Sequence, residues 1–136
     1  MIKTAEDIER DFYSFVKNSD LSKTIKGTVY REEMRPANAD TEDLIIKFLA
    51  GLDEQVQSGV VIFNLYVPDI IHRLDGRKVI DHARIAVLQR AIIDFVQNND
   101  ETEYWMQTDT TPTSMTNKEI EQHLIYARIK FYRLAE

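Results

Sequence analysis

The segment Val60-Val61-Ile62-Phe63-Asn64-Leu65-Tyr66-Val67 constrains this chain more than any other. Nearly all of its residues are good β-formers, and at about 3.3 Å per residue they cross ~26 Å, the width of a domain. Side chains of a strand alternate between two faces, so a run that is apolar at both parities needs cover on both. The spacing predicts a central strand over 57–67, with Asn64 its one polar interruption.

The flanking segments supply partners for that strand. Leu44, Ile45, Ile46, Phe48 and Leu49 predict a strand over 42–50, turned by Gly51-Leu52-Asp53. After Gly27, Val29 and Arg31 point one way and Tyr30 and Glu32 the other, which predicts a strand with one wetter face over 28–34. Residues 103–108 read as another strand. From His123 to Leu134 the alternation is clean: Ile125, Ala127, Ile129 and Phe131 against Tyr126, Arg128, Lys130 and Tyr132. That period of two predicts a closing strand.

Two segments carry the helical period instead. Thr4 and Asp7 have capping-box spacing, and Ile8, Phe12, Phe15 and Val16 form one face of a helix over 5–17, ended by Asn18-Ser19-Asp20. Ile80, Ala83, Val87, Ala91, Ile92, Phe95 and Val96 form the stripe of a second helix over 79–97, with Asn98-Asn99-Asp100 as its stop. Between them Pro68-Asp69 stops the central strand, 70–74 reads as a short helical turn, and Asp75-Gly76 breaks it. Thr110 to Lys118, with Pro112 among threonines and serines, reads as a flexible loop. The expected order is α-β-β-β-α-β-β. That is a single α+β domain over residues 1–136, with a mostly antiparallel sheet of about five strands and two main helices on one face.

Composition narrows the chemistry. A chain of 136 residues buries roughly two-thirds of its unfolded surface, enough for a core without covalent staples. It contains no cysteine, which excludes disulfides, thiolate nucleophiles and Cys-based zinc sites. The net charge of −6, from 17 basic and 23 acidic residues, disfavours a specific nucleic-acid ligand. MIKTAEDIER has no apolar core or small-residue cleavage site, so no signal peptide is expected. No apolar run approaches the ~20 residues that span a bilayer, so no membrane partner is expected.

No reactive set is legible, and neither an enzyme nor a cofactor is expected. His72, His82 and His123 lack metal-ligand spacing; a mixed site of His72 and His82 with Asp69, Asp75 and Asp81 is weighed and set below solvated helix-end residues. The four glycines form no phosphate cradle. Tyr104, Trp105, Tyr126, Phe131 and Tyr132 gather in the last two strands beside Arg128, Lys130 and Arg133. A base-stacking platform uses such residues, and so does a subunit contact; the acidic balance favours the contact. Two long loops, 35–43 and 109–119, join strands that a two-residue turn could join, and long loops in a compact domain are often binding elements. Candidate interface residues are therefore Arg31, Arg35, Asn38, Asp40, Glu42, Asp43 and Trp105.

Residues 35–70 resemble small proteins of phage and prophage structural modules. The features that carry the resemblance are Arg35-Pro36-Ala37-Asn38, the acidic pair Glu42-Asp43, Gln57-Ser58-Gly59-Val60-Val61 and Tyr66-Val67-Pro68-Asp69. The element order around them is similar to that of tail terminator and tail-completion proteins. The motif covers about a quarter of the chain. The resemblance implies a head–tail joining component: a homo-oligomeric ring, commonly of six, that meets a tail-tube or connector protein. It would reside in the host cytoplasm during assembly and then in the virion. The alternative is a small nucleic-acid-binding or regulatory module using the aromatic C-terminal strands.

Overall fold

The computed structural model describes residues 1–99, 101–117 and 120–135. Three helices, α1 (Ala5–Lys17), α2 (Asp20–Thr24) and α3 (His82–Gln97), accompany β1 (Val29–Arg31), β2 (Asp43–Leu52), β3 (Val56–Pro68), β4 (Ile70–Ile71), β5 (Lys78–Val79), β6 (Trp105–Thr108), β7 (Thr113–Asn117) and β8 (Gln122–Leu134). The fold is α+β. The main sheet runs β1-β2-β3-β8, and β6 and β7 share the far edge of β8. Every pairing in it is antiparallel except β1 with β2.

The predicted central strand is central. β3 pairs along its whole length with β8, from Val56 opposite Leu134 to Pro68 opposite Gln122, and on its other side with β2. One parity of these strands faces the helices: Leu44 and Ile46, then Val61, Phe63, Leu65 and Val67, then Ile125, Ala127, Ile129 and Phe131, all buried. Ile8, Phe12 and Val16 of α1 and Ile85, Leu88 and Ile92 of α3 close on them. Phe12 stands at the centre, in ring contact with Phe15, Phe63, Tyr104 and Phe131. Thr4 caps α1 as its spacing predicts: the Asp7 amide donates to the Thr4 hydroxyl and the Thr4 amide to the Asp7 carboxylate.

Four segments depart from expectation, each for a local reason. Residues 70–74 are not helical; Ile70-Ile71 and Lys78-Val79 pair as a hairpin whose tip is turned by Gly76 in the left-handed region (φ 73°), so Asp75-Gly76 marks a turn and not a break. Helix α3 accordingly begins at His82, with the Asp81 carboxylate accepting from the Arg84 amide. Strand β2 runs through Gly51 and Leu52, because a bulge between Phe48 and Ala50 lets Gly51 pair with Gly59. Residues 113–117 of the expected loop form β7, which with β6 makes one interrupted edge along β8; Lys118, Glu119 and Asp100 lie outside the described residues. The 20–24 turn of helix follows the expected stop after α1, with Leu21 buried beneath it.

Candidate functional site

The first long loop has its length for a topological reason. β1 and β2 are parallel, so the chain leaving Arg31 must travel back before it can enter at Asp43, and a two-residue turn cannot do that. Arg35 holds the returning loop. Its guanidinium donates to Asp43 Oδ2 at 2.9 Å, to the carbonyls of Ala39 and Thr41, and to Gln122 Oε1, and it stacks 4.0 Å above the Tyr66 ring. Asp43 also accepts from the Thr41 hydroxyl and the Thr28 amide. Burial pushes its carboxyl up, but Thr41, Thr28 and Arg35 more than offset that and hold it below the usual carboxylate range. Gly27 permits this approach: a Cβ there would collide with the Glu42 carbonyl and the Asp43 carboxylate.

Glu42 turns the other way and grips α3. Arg84 donates to both of its carboxylate oxygens, at 2.9 and 2.7 Å, and to the Thr24 carbonyl at 2.6 Å. Arg31 pairs with Glu9 and Glu6 of α1. Of the seven candidate interface residues, Arg31, Arg35, Glu42 and Asp43 thus pair inside the chain and shape the surface from beneath. Asn38, Asp40 and Trp105 stand exposed.

The sheet face away from the helices is where the aromatic and basic residues gather. Register places Tyr126, Arg128, Lys130 and Tyr132 of β8 on it, with Trp105 and Gln107 of β6, Ile62 and Asn64 of β3, and Lys47 of β2. Trp105 is 60% exposed, opposite Tyr132. Lys130 lies over the Tyr132 ring and Arg128 pairs with Asp109 at 3.0 Å. The Asn64 side-chain amide oxygen is buried here without a hydrogen-bond partner among the described residues.

The histidines do not converge. His72 faces Asp75 within the hairpin and His82 begins α3; among the described residues no three His, Asp or Glu side chains group as a metal site. His123 makes an arrangement that its sequence position does not announce. Its Nδ1 lies 2.5 Å from Asp69 Oδ1 and its Nε2 lies 3.1 Å from the Thr116 hydroxyl. Only the antiparallel registers of β3–β8 and β7–β8 bring these three together. Carboxylate, imidazole and hydroxyl in line are the order of a nucleophilic relay. The line lies at the sheet edge, however, and the cleft that Asp69 helps to form includes neither His123 nor Thr116. Its evident action is to clamp β7 and the end of β3 to β8.

The remaining surface features are apolar and sit at the two ends of β3. Leu49, Leu52, Val56 and Leu134 are exposed around the β2–β3 turn; Ile70, Ile71 and Leu74 are exposed on the β4–β5 hairpin. They form two separate patches; the first brings Leu134 beside Val56 across the sheet, a neighbour that pattern reading along a single strand does not reveal. No known protein-family model matches the chain, and no curated protein matches it significantly.

Proposed function

We propose that this protein is a non-enzymatic structural subunit of a phage or prophage particle, of the tail-terminator or head–tail joining kind, that acts by closing into a ring of copies. The observation that carries the reading is the pair of exposed apolar patches at opposite ends of β3, roughly 40 Å apart for a 13-residue strand. Two separate patches at opposite ends suit a head-to-tail contact, in which each copy offers a patch to a different surface of its neighbour, and such contacts make rings where the rotation between copies closes. Exposed clusters of this kind mark interaction surfaces. The phage assignment itself is supported by the 35–70 motif, where Arg35, Glu42 and Asp43 fix the loop and Tyr66 packs under Arg35.

Size-exclusion chromatography with light scattering up to high micromolar concentration, and electron micrographs of the same sample, test this. Rings are expected, as are capsid, portal and tail-tube genes beside the gene for this chain. A strict monomer that also fails to bind a tail-tube or connector protein from the same genome would sink the reading.

A second reading has one specific observation in its favour, the open face bearing Trp105, Tyr126, Tyr132, Arg128 and Lys130. As a stacking platform it would bind single-stranded nucleic acid in a salt-sensitive way, weakened by Trp105→Ala or Arg128→Ala. Absence of binding at low salt ends it.

A further inference from the structure

A groove of about 860 Å³ runs between the C-terminal half of α1 with α2 on one side and the C-terminal half of α3 on the other. Phe15, Leu21 and Phe95 form its apolar floor, and Asp20, Asp94 and Glu101 its rim. Asp20 meets Lys23 at 3.8 Å; Asp94 and Glu101 have no ion-pair partner among the described residues. The rim therefore carries net negative charge, with Asp94 and Glu101 unpaired among the described residues, around a floor that is apolar at Phe15, Leu21 and Phe95 within an otherwise polar lining.

The β4–β5 hairpin has the opposite character. Between Ile70 and Val79 it carries Arg73, Arg77 and Lys78 against the single acid Asp75. Arg77 is held by Asp75, whereas Arg73 and Lys78 have no ion-pair partner among the described residues. Leu74 at its tip is 91% exposed and Ile71 64%. Among the described residues nothing covers Leu74 at that tip. From the first residue of α3, which follows the hairpin, to Ala91 at the groove is about 14 Å of helix, so a copy's hairpin and its own groove lie toward opposite ends of α3.

Resting on the self-assembly reading above, we infer that the groove is the socket for the β4–β5 hairpin of a second copy, with Leu74 on the apolar floor and Arg73 and Lys78 against the acidic rim. The contact joins two different surfaces of the same chain, as a head-to-tail ring requires. Burying Leu74 supplies attraction, and the charges set orientation and exclude the hairpin from neutral or basic clefts.

Charge reversal tests the contact. A hairpin variant, Arg73→Glu with Lys78→Glu, and a groove variant, Asp94→Lys with Glu101→Lys, alter exposed side chains only. Each alone should raise the dissociation constant for self-association at least tenfold in sedimentation or light scattering. Mixed one to one, they should associate again, because each reversed surface then meets its complement. A second measurement uses the absence of native cysteine: Leu74→Cys with Ser14→Cys should yield disulfide-linked multimers under mild oxidation, while either substitution alone should not extend past a dimer. If both charge variants assemble like the unmodified chain and the double-cysteine chain does not multimerise, hairpin docking is wrong although self-assembly stands. If the unmodified chain does not associate at high micromolar concentration and the double-cysteine chain does not crosslink, the docking and the self-assembly reading fall together.

Discussion

The two ends of the β3–β8 pair each close over a buried polar knot, and the two knots are made differently. At the end where β2 begins, charges meet one to one: Arg35 with Asp43, Arg84 with Glu42, in side chains between 1% and 19% exposed. At the other end the centre is neutral. The Gln57 amide accepts from the Lys3 amide and from Arg133, and donates to the Lys3 carbonyl and to Asp53. Around it Lys3 joins Asp11 and Glu103, and the Tyr104 hydroxyl donates to Asp11 at 2.7 Å. Burial, and then the Asp11 carboxylate, push the Tyr104 phenol well up, so it stays a donor throughout the physiological range. A paired charge suffers most when its partner is removed, whereas a neutral amide hub costs several ordinary hydrogen bonds. The difference makes the two ends separable by mutation.

The largest effect should come from Glu42→Ala. It strands the Arg84 guanidinium against α3 with only the Thr24 carbonyl left, and removal of one partner from a buried pair costs ~3–5 kcal/mol. The lower part of that range is expected because Arg84 retains some exposure. Denaturant unfolding followed by far-UV circular dichroism measures it. A loss below about 1 kcal/mol would mean that this pair behaves like a surface ion pair and that the contrast between the ends is false.

Gln57→Ala should follow, at about 2 kcal/mol, since the Lys3 amide, the Lys3 carbonyl and Arg133 lose a partner in a site that water barely reaches. Gln57→Glu sharpens the comparison. A carboxylate can accept from Arg133 but cannot donate to the Lys3 carbonyl, so it should recover part of the loss and no more.

These two knots also show where the sequence was readable. The β character and central place of β3, the two long helices and the Thr4 cap follow from period, composition and spacing, because each rests on neighbours within a few turns or residues. Arg35, Glu42 and Asp43 stood out as charged loop residues, yet their inward direction depends on β1 and β2 being parallel, which no local pattern encodes. Gln57, Arg133 and the Asp69–His123–Thr116 line depend on partners 54 or more residues away across the sheet, or on cross-strand register. Asp75-Gly76 did hold a readable hairpin signal; the short apolar run before it favoured the helical reading. The groove between α1–α2 and α3 arises from helix packing alone and leaves no mark in the chain.

A smaller effect is expected where α1 meets the Gln57 knot. Thr4→Ala removes the hydroxyl that accepts the Asp7 amide and should cost about 1 kcal/mol, close to the usual value of an N-cap. Thr4→Ser should be nearly silent in the same unfolding measurement. If Thr4→Ala matched Gln57→Ala, the cap and the knot would be one cooperative unit.

The least effect near neutral pH, and the finest comparison of the two ends, lies in acid. Asp43 titrates below its unfolded value of 3.8, so the unfolded chain binds the proton more readily. The stability this confers is fully present above that value and is lost as pH falls through the lower folded value. Gln57 takes up no proton. Glu103 is also held low, first by Lys3, but its side chain is 48% exposed and solvent screens much of the consequence. Hydrogen exchange, corrected for intrinsic rates, should show little change from pH 7 to 5. Below about pH 4 the amides of residues 26–28 and 43–45 should lose protection before those of 57–59 and 131–133. Equal loss at both ends would mean that the sheet opens as one unit and that Asp43 does not govern its own end.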